Sequence, residues 1–117
     1  MEMQKALALQ KAGVDTEGAL ERFSGNSMLY ERFLMKFPQD ETFAKIAPAL
    51  DADNFEEALR AAHTLKGVSA NLGMNRLFHA CSDMVSFIRN TEYGKAKAVY
   101  PETREAYEEV CRVITGY

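Results

Sequence analysis

His63, Lys66 and Gly67 are spaced three and four residues apart, and on a helix that spacing puts all three on one face. A neutral imidazole is a competent nucleophile near neutral pH, since its ordinary pKa is about 6.5. The lysine sets a positive charge beside the ring. The glycine leaves a bare patch of backbone one turn away. Glycine in a helix interior costs roughly 1 kcal/mol relative to alanine, so a helix built for stability alone would carry alanine here. Bare backbone beside a histidine points to the close approach of a second body.

The rest of the chain offers little competing chemistry. His79 and Cys81 form a His-x-Cys pair, but residues two apart point about 200° apart on a helix and cannot share one metal ion. No metal site is expected, and His79 reads as a surface residue. There is no cluster of carboxylates around His63, no glycine-rich phosphate loop and no ATP-binding motif. Cys81 and Cys111 fall on apolar helix faces and read as buried small hydrophobes. Tyr30, Phe33, Phe37 and Phe43 read as core, with Met35 a candidate exposed neighbour of the histidine helix. The run Glu102, Arg104, Glu105, Glu108 and Glu109 reads as a solvated helix face.

Bulk properties bound the partners. A chain of 117 residues suits one domain, here 1–117, and 47% hydrophobic residues exclude disorder. Seventeen acidic against fourteen basic residues, net −3, argue against nucleic acid and against electrostatic membrane binding. No apolar run approaches the ~20 residues of a membrane span. The first ten residues mix in charges and lack the apolar stretch of a signal peptide. A cytoplasmic protein is expected, and a monomer, since no large apolar face is left over; a free-standing chain and a domain of a hybrid kinase both stay open.

Helices must position the histidine, because apolar spacing is helical almost throughout. The pattern predicts a short helix over 2–11 ended by Gly13, a next turn capped by Asp15 that carries Ala19, Leu20 and Phe23, and a helix bearing Tyr30, Phe33, Leu34 and Phe37 capped by Asn26 or Ser27. Pro38 ends or kinks it, and Asp40 caps a continuation with Phe43, Ile46 and Leu50. The histidine helix is predicted over 54–71, with Glu56 and Glu57 in its first turn and Gly73 at its end. A helix over 74–91 follows, broken at Gly94. A last helix over 95–115 is kinked or started by Pro101. The expected fold is all-α, an antiparallel up-and-down four-helix bundle with a short N-terminal helical appendage. At about 100° per residue, Phe55, Ala58, Leu59, Ala62, Leu65 and Ser69 make the buried stripe, and His63 lies about 80° from Phe55, at its edge.

The run His63-Thr64-Leu65-Lys66-Gly67-Val68-Ser69-Ala70-Asn71-Leu72-Gly73 resembles the signature of histidine-containing phosphotransfer (HPt) domains. The likeness extends to Gly13-Val14-Asp15 with Ala19-Leu20 and Phe23, to the acidic turn Asp51-Ala52-Asp53, and to Arg76-Leu77. It implies a phosphorelay intermediate: Nε2 of His63 accepts a phosphoryl group from an aspartyl phosphate on a response-regulator receiver domain and passes it to another receiver's aspartate. Lys66 sits near the phosphoryl group, and Gly67 admits the receiver's loops. Arg60, Thr64, Ala70, Asn71, Ser82 and Arg89 are candidate supporting or docking residues. The chain is expected to be a phosphocarrier and not an enzyme, with no cofactor of its own, magnesium being held by the receiver. Its partners are then receiver domains, including that of a hybrid sensor kinase. One departure stands out: where some members place a long polar side chain on the following helix, this chain has Val85, and Ser82, Ser86 and Arg89 lie nearby in sequence. The rival readings are the histidine substrate domain of a chemotaxis-type kinase and a helical adaptor bundle that does not relay.

Overall fold

Polar side chains one residue ahead of the helical patterns start the helices. In the computed structural model, which describes residues 1–116, the carboxylate of Asp15 accepts the Gly18 N–H at 3.0 Å. The side-chain oxygens of Asn26 and Asn54 accept the N–H groups of Leu29 and Glu57 at 3.1 and 3.2 Å. Each satisfies a donor that the first turn leaves free. The helices are α1 (Met3–Lys11), α2 (Thr16–Arg22), α3 (Ser27–Lys36), α4 (Ile46–Asp51), α5 (Phe55–Asn71), α6 (Asn75–Arg89), α7 (Tyr93–Ala98) and α8 (Tyr100–Thr115), of which α4, α6, α7 and α8 start without a side-chain cap. No strand interrupts them among the described residues. Between α3 and α4 the chain makes two short 3-10 turns, Phe37–Gln39 and Phe43–Lys45, with Pro38 in the first. Asp40, expected to cap the second stretch, instead closes a turn ahead of it by accepting the Thr42 N–H at 2.7 Å, and that stretch has no side-chain cap.

The bundle forms around α5 and α6, the most closely packed pair, with α4 against α5 and α8 against α6. Leu34, Ile46, Leu65, Leu77, Met84 and Ile114 are fully buried between them. Leu9 of α1 joins the same core, and α1 packs on α8. On α5 the buried residues include Ala58, Ala62, Leu65 and Ser69, as the helical spacing requires, with Phe55 and Leu59 half-buried. Ala61, outside the expected stripe, is buried too. Cys81 is buried, its thiol pushed up to about 12 by burial alone. Cys111 is only half-buried.

Three expectations about the chain's second half change. Gly94 does not break α6, because it lies inside α7. The break falls at Asn90-Thr91, where Thr91 takes φ +55°. The helix expected over 95–115 is two helices, and Pro101 stands in the first turn of α8, where its missing N–H has no intrahelical partner to lose. The acidic run of α8 is more than a solvated face: Arg76 at the start of α6 donates to Glu102 at 2.8 Å and to Glu109 at 2.7 Å. The hydrogen bond from Arg76 holds the Glu102 carboxyl below the usual carboxylate range.

The end of α5 is held from the N-terminal third. Asp15 N–H donates to the Gly73 carbonyl at 2.7 Å, and Asn75 N–H to the Gly13 carbonyl at 3.1 Å, around an isolated bridge between Val14 and Met74. The buried Tyr30 hydroxyl donates to the Leu72 carbonyl at 2.9 Å. Burial pushes that phenol up to about 12 from 10.0. Tyr30→Phe strands the Leu72 carbonyl, and a loss of about 1–2 kcal/mol is expected in denaturant titration. The pH dependence has a defined sign. The folded chain retains the phenolic proton while the unfolded chain releases it, so this contribution is intact below pH 10 and falls as pH rises from 10 toward 12. The Tyr30→Phe chain should show a shallower alkaline decline over that window in melts taken at a series of pH values.

Candidate functional site

Asn54 fixes the start of α5 and Gly73 fixes its end, at φ +76°. The faces between them follow from 3.6 residues per turn. With Ala62, Leu65 and Ser69 turned inward, His63 points outward and is exposed. Its place beside the buried stripe agrees with the position about 80° from Phe55. Thr64 is exposed beside it, and Lys66 is half-buried. Lys66 forms no ion pair among the described residues. The Ser69 hydroxyl donates to the Lys66 carbonyl at 3.0 Å.

Gly67 is the informative position. A Cβ built there meets nothing within 4 Å. Packing therefore does not require glycine, and its helical conformation does not require it either. The bare backbone faces open space on the same strip as His63.

Other candidate residues divide. Arg60, one turn before His63, is already engaged with Glu57 at 2.6 Å and Glu56 at 3.5 Å. Ala70 is half-buried, and Asn71 is exposed at the helix end, its carbonyl accepting from Arg22 Nε at 3.3 Å. On α6, Ser82 is half-buried, but its hydroxyl is fully covered and has no hydrogen-bond partner. At 1.5 Å per residue on either side of the short α5–α6 turn, Ser82 lies about level with His63, while Arg89 lies about 9 Å further along. Arg89 is exposed, and Val85 is buried. Val85 therefore offers the ring no polar partner. His79 is exposed, edge-on to Phe78. Among the described residues no group of histidines, cysteines and carboxylates could hold a metal ion.

Beside the strip opens a cleft of about 320 Å³, lined by Phe33, Lys36, Phe37, Asp40, Val68, Asn71 and Leu72. Val68 and Asn71 belong to the turn that follows Gly67, so the cleft continues the open strip onto α3. Phe33, expected in the core, is 44% exposed at its edge. Met35, the expected exposed neighbour, lies on the other flank of α3 against Lys5. Positions 33 and 35 point about 200° apart, and the sequence pattern alone did not say which flank faces α5.

The profile of the Hpt domain family matches residues 29–112. The chain belongs to the Hpt family. That match spans α3 through most of α8, and membership makes the chain a phosphotransfer domain in general terms. The Hpt chain is also similar to a protein of Dictyostelium discoideum called phosphorelay intermediate protein rdeA, 23% identical over 78 residues. These make up 67% of this chain and 31% of that relative, so the chain spans about a third of its length. No solved structure matches. No helix among the described residues is long and apolar enough to cross a membrane.

Two glycines of this Hpt chain separate structural from surface demand. Gly73, at φ +76°, would drive a Cβ into the Asp15 carbonyl oxygen, so Gly73→Ala should cost more than about 2 kcal/mol. Gly67→Ala should instead stabilise by up to about 1 kcal/mol. Chemical denaturation of the two variants checks both signs.

Proposed function

We propose that this Hpt chain relays phosphoryl groups between receiver domains through Nε2 of His63. The observation that carries the reading is the exposed His63 with a glycine one turn on whose absent side chain faces open space. A receiver presents its aspartyl phosphate in a recessed loop cluster, so the attacking ring has to project and the surface around it has to be low. Both conditions are met here.

The step balances without help from a group on this chain. The Nε2 lone pair attacks phosphorus, the N–P bond forms as the P–O bond to the aspartate breaks, and the carboxylate leaves with the electron pair. The ring keeps its Nδ1 proton and becomes cationic, and the negative charge of the phosphoryl group it accepts offsets that gain. Onward transfer reverses this: a carboxylate oxygen of the second receiver attacks, and Nε2 recovers its lone pair. Phosphoryl transfer depends mainly on positioning and charge stabilisation. Lys66, half-buried beside the ring and free of an ion pair among the described residues, supplies one positive charge, and the receiver supplies its acidic pocket and magnesium. The apolar rim at Phe33 and Val68 and the polar rim at Lys36, Asp40 and Asn71 match ordinary interface anatomy. A hybrid sensor kinase's receiver is the expected donor.

Incubation with phosphorylated receiver domains in ATP-free buffer tests the reading. Wild-type chain and His79→Gln should acquire acid-labile, base-stable label, and His63→Gln should not. Label on His63→Gln at the wild-type level would overturn the site. Label obtained only from an ATP-bound kinase would favour a chemotaxis-type substrate domain. Gly67→Gln should fold as wild type yet transfer at least about tenfold more slowly, because a misplaced approach is costly in rate.

A further inference from the structure

His63 stands between two cations on α5, Arg60 three residues before it and Lys66 three residues after, and positions so spaced are surface neighbours. The two are not equivalent. Long and aromatic side chains on a helix lean back over the preceding turn, so the imidazole extends toward the turn that carries Arg60 and away from the one that carries Lys66. Arg60 leans the same way, into the first-turn acids: its Nη1 lies 2.6 Å from Glu57 Oε2 and its Nη2 3.5 Å from Glu56 Oε1. Its Nε–H donates to no group among the described residues. The Arg60 and Glu56 side chains are 65% and 86% exposed, and charge pairs so open to water hold weakly. Glu56, seven residues before His63, falls within about 20° of it around the helix. Arg60 therefore stands, in height, between that carboxylate and the ring.

We propose that Arg60 is the counter-ion of the phosphoryl group on His63. The guanidinium leaves Glu56 and Glu57 for the phosphoryl oxygens when the ring is loaded, and returns to the carboxylates when it is discharged. This rests on the reading of His63 as the phosphorylated residue and adds a second cation to Lys66. Only hydrogen bonds are exchanged, and the chemistry favours the exchange. A phosphoryl group brings more negative charge than a carboxylate and three strong acceptor oxygens. The guanidinium is a planar fork of five donors that meets two such oxygens at once, whereas the Lys66 ammonium acts as a point charge. The two carboxylates it gives up are open to water and lose little. In the unloaded chain Arg60 neutralises the first-turn acids and leaves the ring free to attack. In the loaded chain it screens the phosphoryl group from Glu56.

The test loads His63 without a receiver. Phosphoramidate transfers its phosphoryl group to an exposed imidazole as ammonia leaves, and a His79→Gln background keeps the label on His63. Phosphorus NMR of the loaded chain follows the second ionisation of the phosphoryl group, which a neighbouring cation shifts to lower pH. Arg60→Gln should raise the midpoint of that titration by about half a pH unit, the size of one charge at an exposed site, and Arg60→Lys should restore part of the loss. Glu57→Gln, which frees the guanidinium, should lower the midpoint while Arg60 is present and have no effect once Arg60 is Gln. Lys66 on α5 and Asp83 on α6, the other charges near this height, are common to every chain compared. In proton–nitrogen correlation spectra the Arg60 Nε–H resonance should move on loading. A midpoint unchanged by Arg60→Gln overturns the proposal. So does an Arg60 resonance that stays in place, or a Glu57→Gln effect that persists at full size without Arg60. Labelling by phosphorylated receivers is a separate measurement: a chain that behaves as expected here and takes no label from receivers overturns the relay and leaves the Arg60 assignment standing.

Discussion

The C-terminal end of α5 is the constraint on which the rest of this molecule depends. A helix leaves its last carbonyls without partners, and here three successive ones are taken from far away in sequence. Asn71 accepts from Arg22, Leu72 from the Tyr30 hydroxyl, and Gly73 from the Asp15 amide. The donors come from α2, α3 and the turn between α1 and α2. A helix that ends in solvent frays and can rotate about its axis, whereas this one is pinned in height and in phase. His63 sits about two turns upstream of the pin, so the direction of its ring is set by contacts that never touch it.

The same closure explains how a flexible-looking residue set can be exact in position. Gly73 is needed because the turn takes φ +76° and passes against the Asp15 backbone. The turn is short, and it brings α6 alongside α5 with Arg76 at the start of α6, where α8 holds it through Glu102 and Glu109. Both ends of the α5–α6 turn are thus tied to other helices, one by backbone hydrogen bonds and one by charge. Partly exposed ion pairs contribute little to stability individually. Three carboxylates converging on one guanidinium do fix which face of α8 meets α6.

Local periodicity made much of this legible. The cap at Asn54, the first-turn acids and the stop at Gly73 bounded α5 within one residue, because each acts over a single turn. The strip of His63, Lys66 and Gly67 followed from the same geometry. What the pattern missed was decided by distant parts of the chain. Phe33 and Met35 are both apolar residues on α3, and only the packing of α1 and α5 on opposite flanks says which one borders the histidine strip. Glu102 and Glu109 look like solvent-facing acids until Arg76 is placed opposite them. Thr91 gave no warning at all. A β-branched residue is a poor choice for φ +55°, and the nearby glycine at 94 looked like the better terminator.

Gly67 and Lys5 show how far a physical cost can be read as information. Each is locally unfavourable: one forgoes helix propensity, the other covers a charge without an oxygen acceptor. In Gly67 the cost has no internal compensation, since the space where a side chain would stand is empty. In Lys5 the compensation within the chain is one thioether. Local choices otherwise largely agree with the fold, Thr91 and the unpartnered Ser82 hydroxyl being further departures. Gly67 and Lys5 both face outward, into bare or concave surface. At the surface such a cost can be met by solvent or by another molecule.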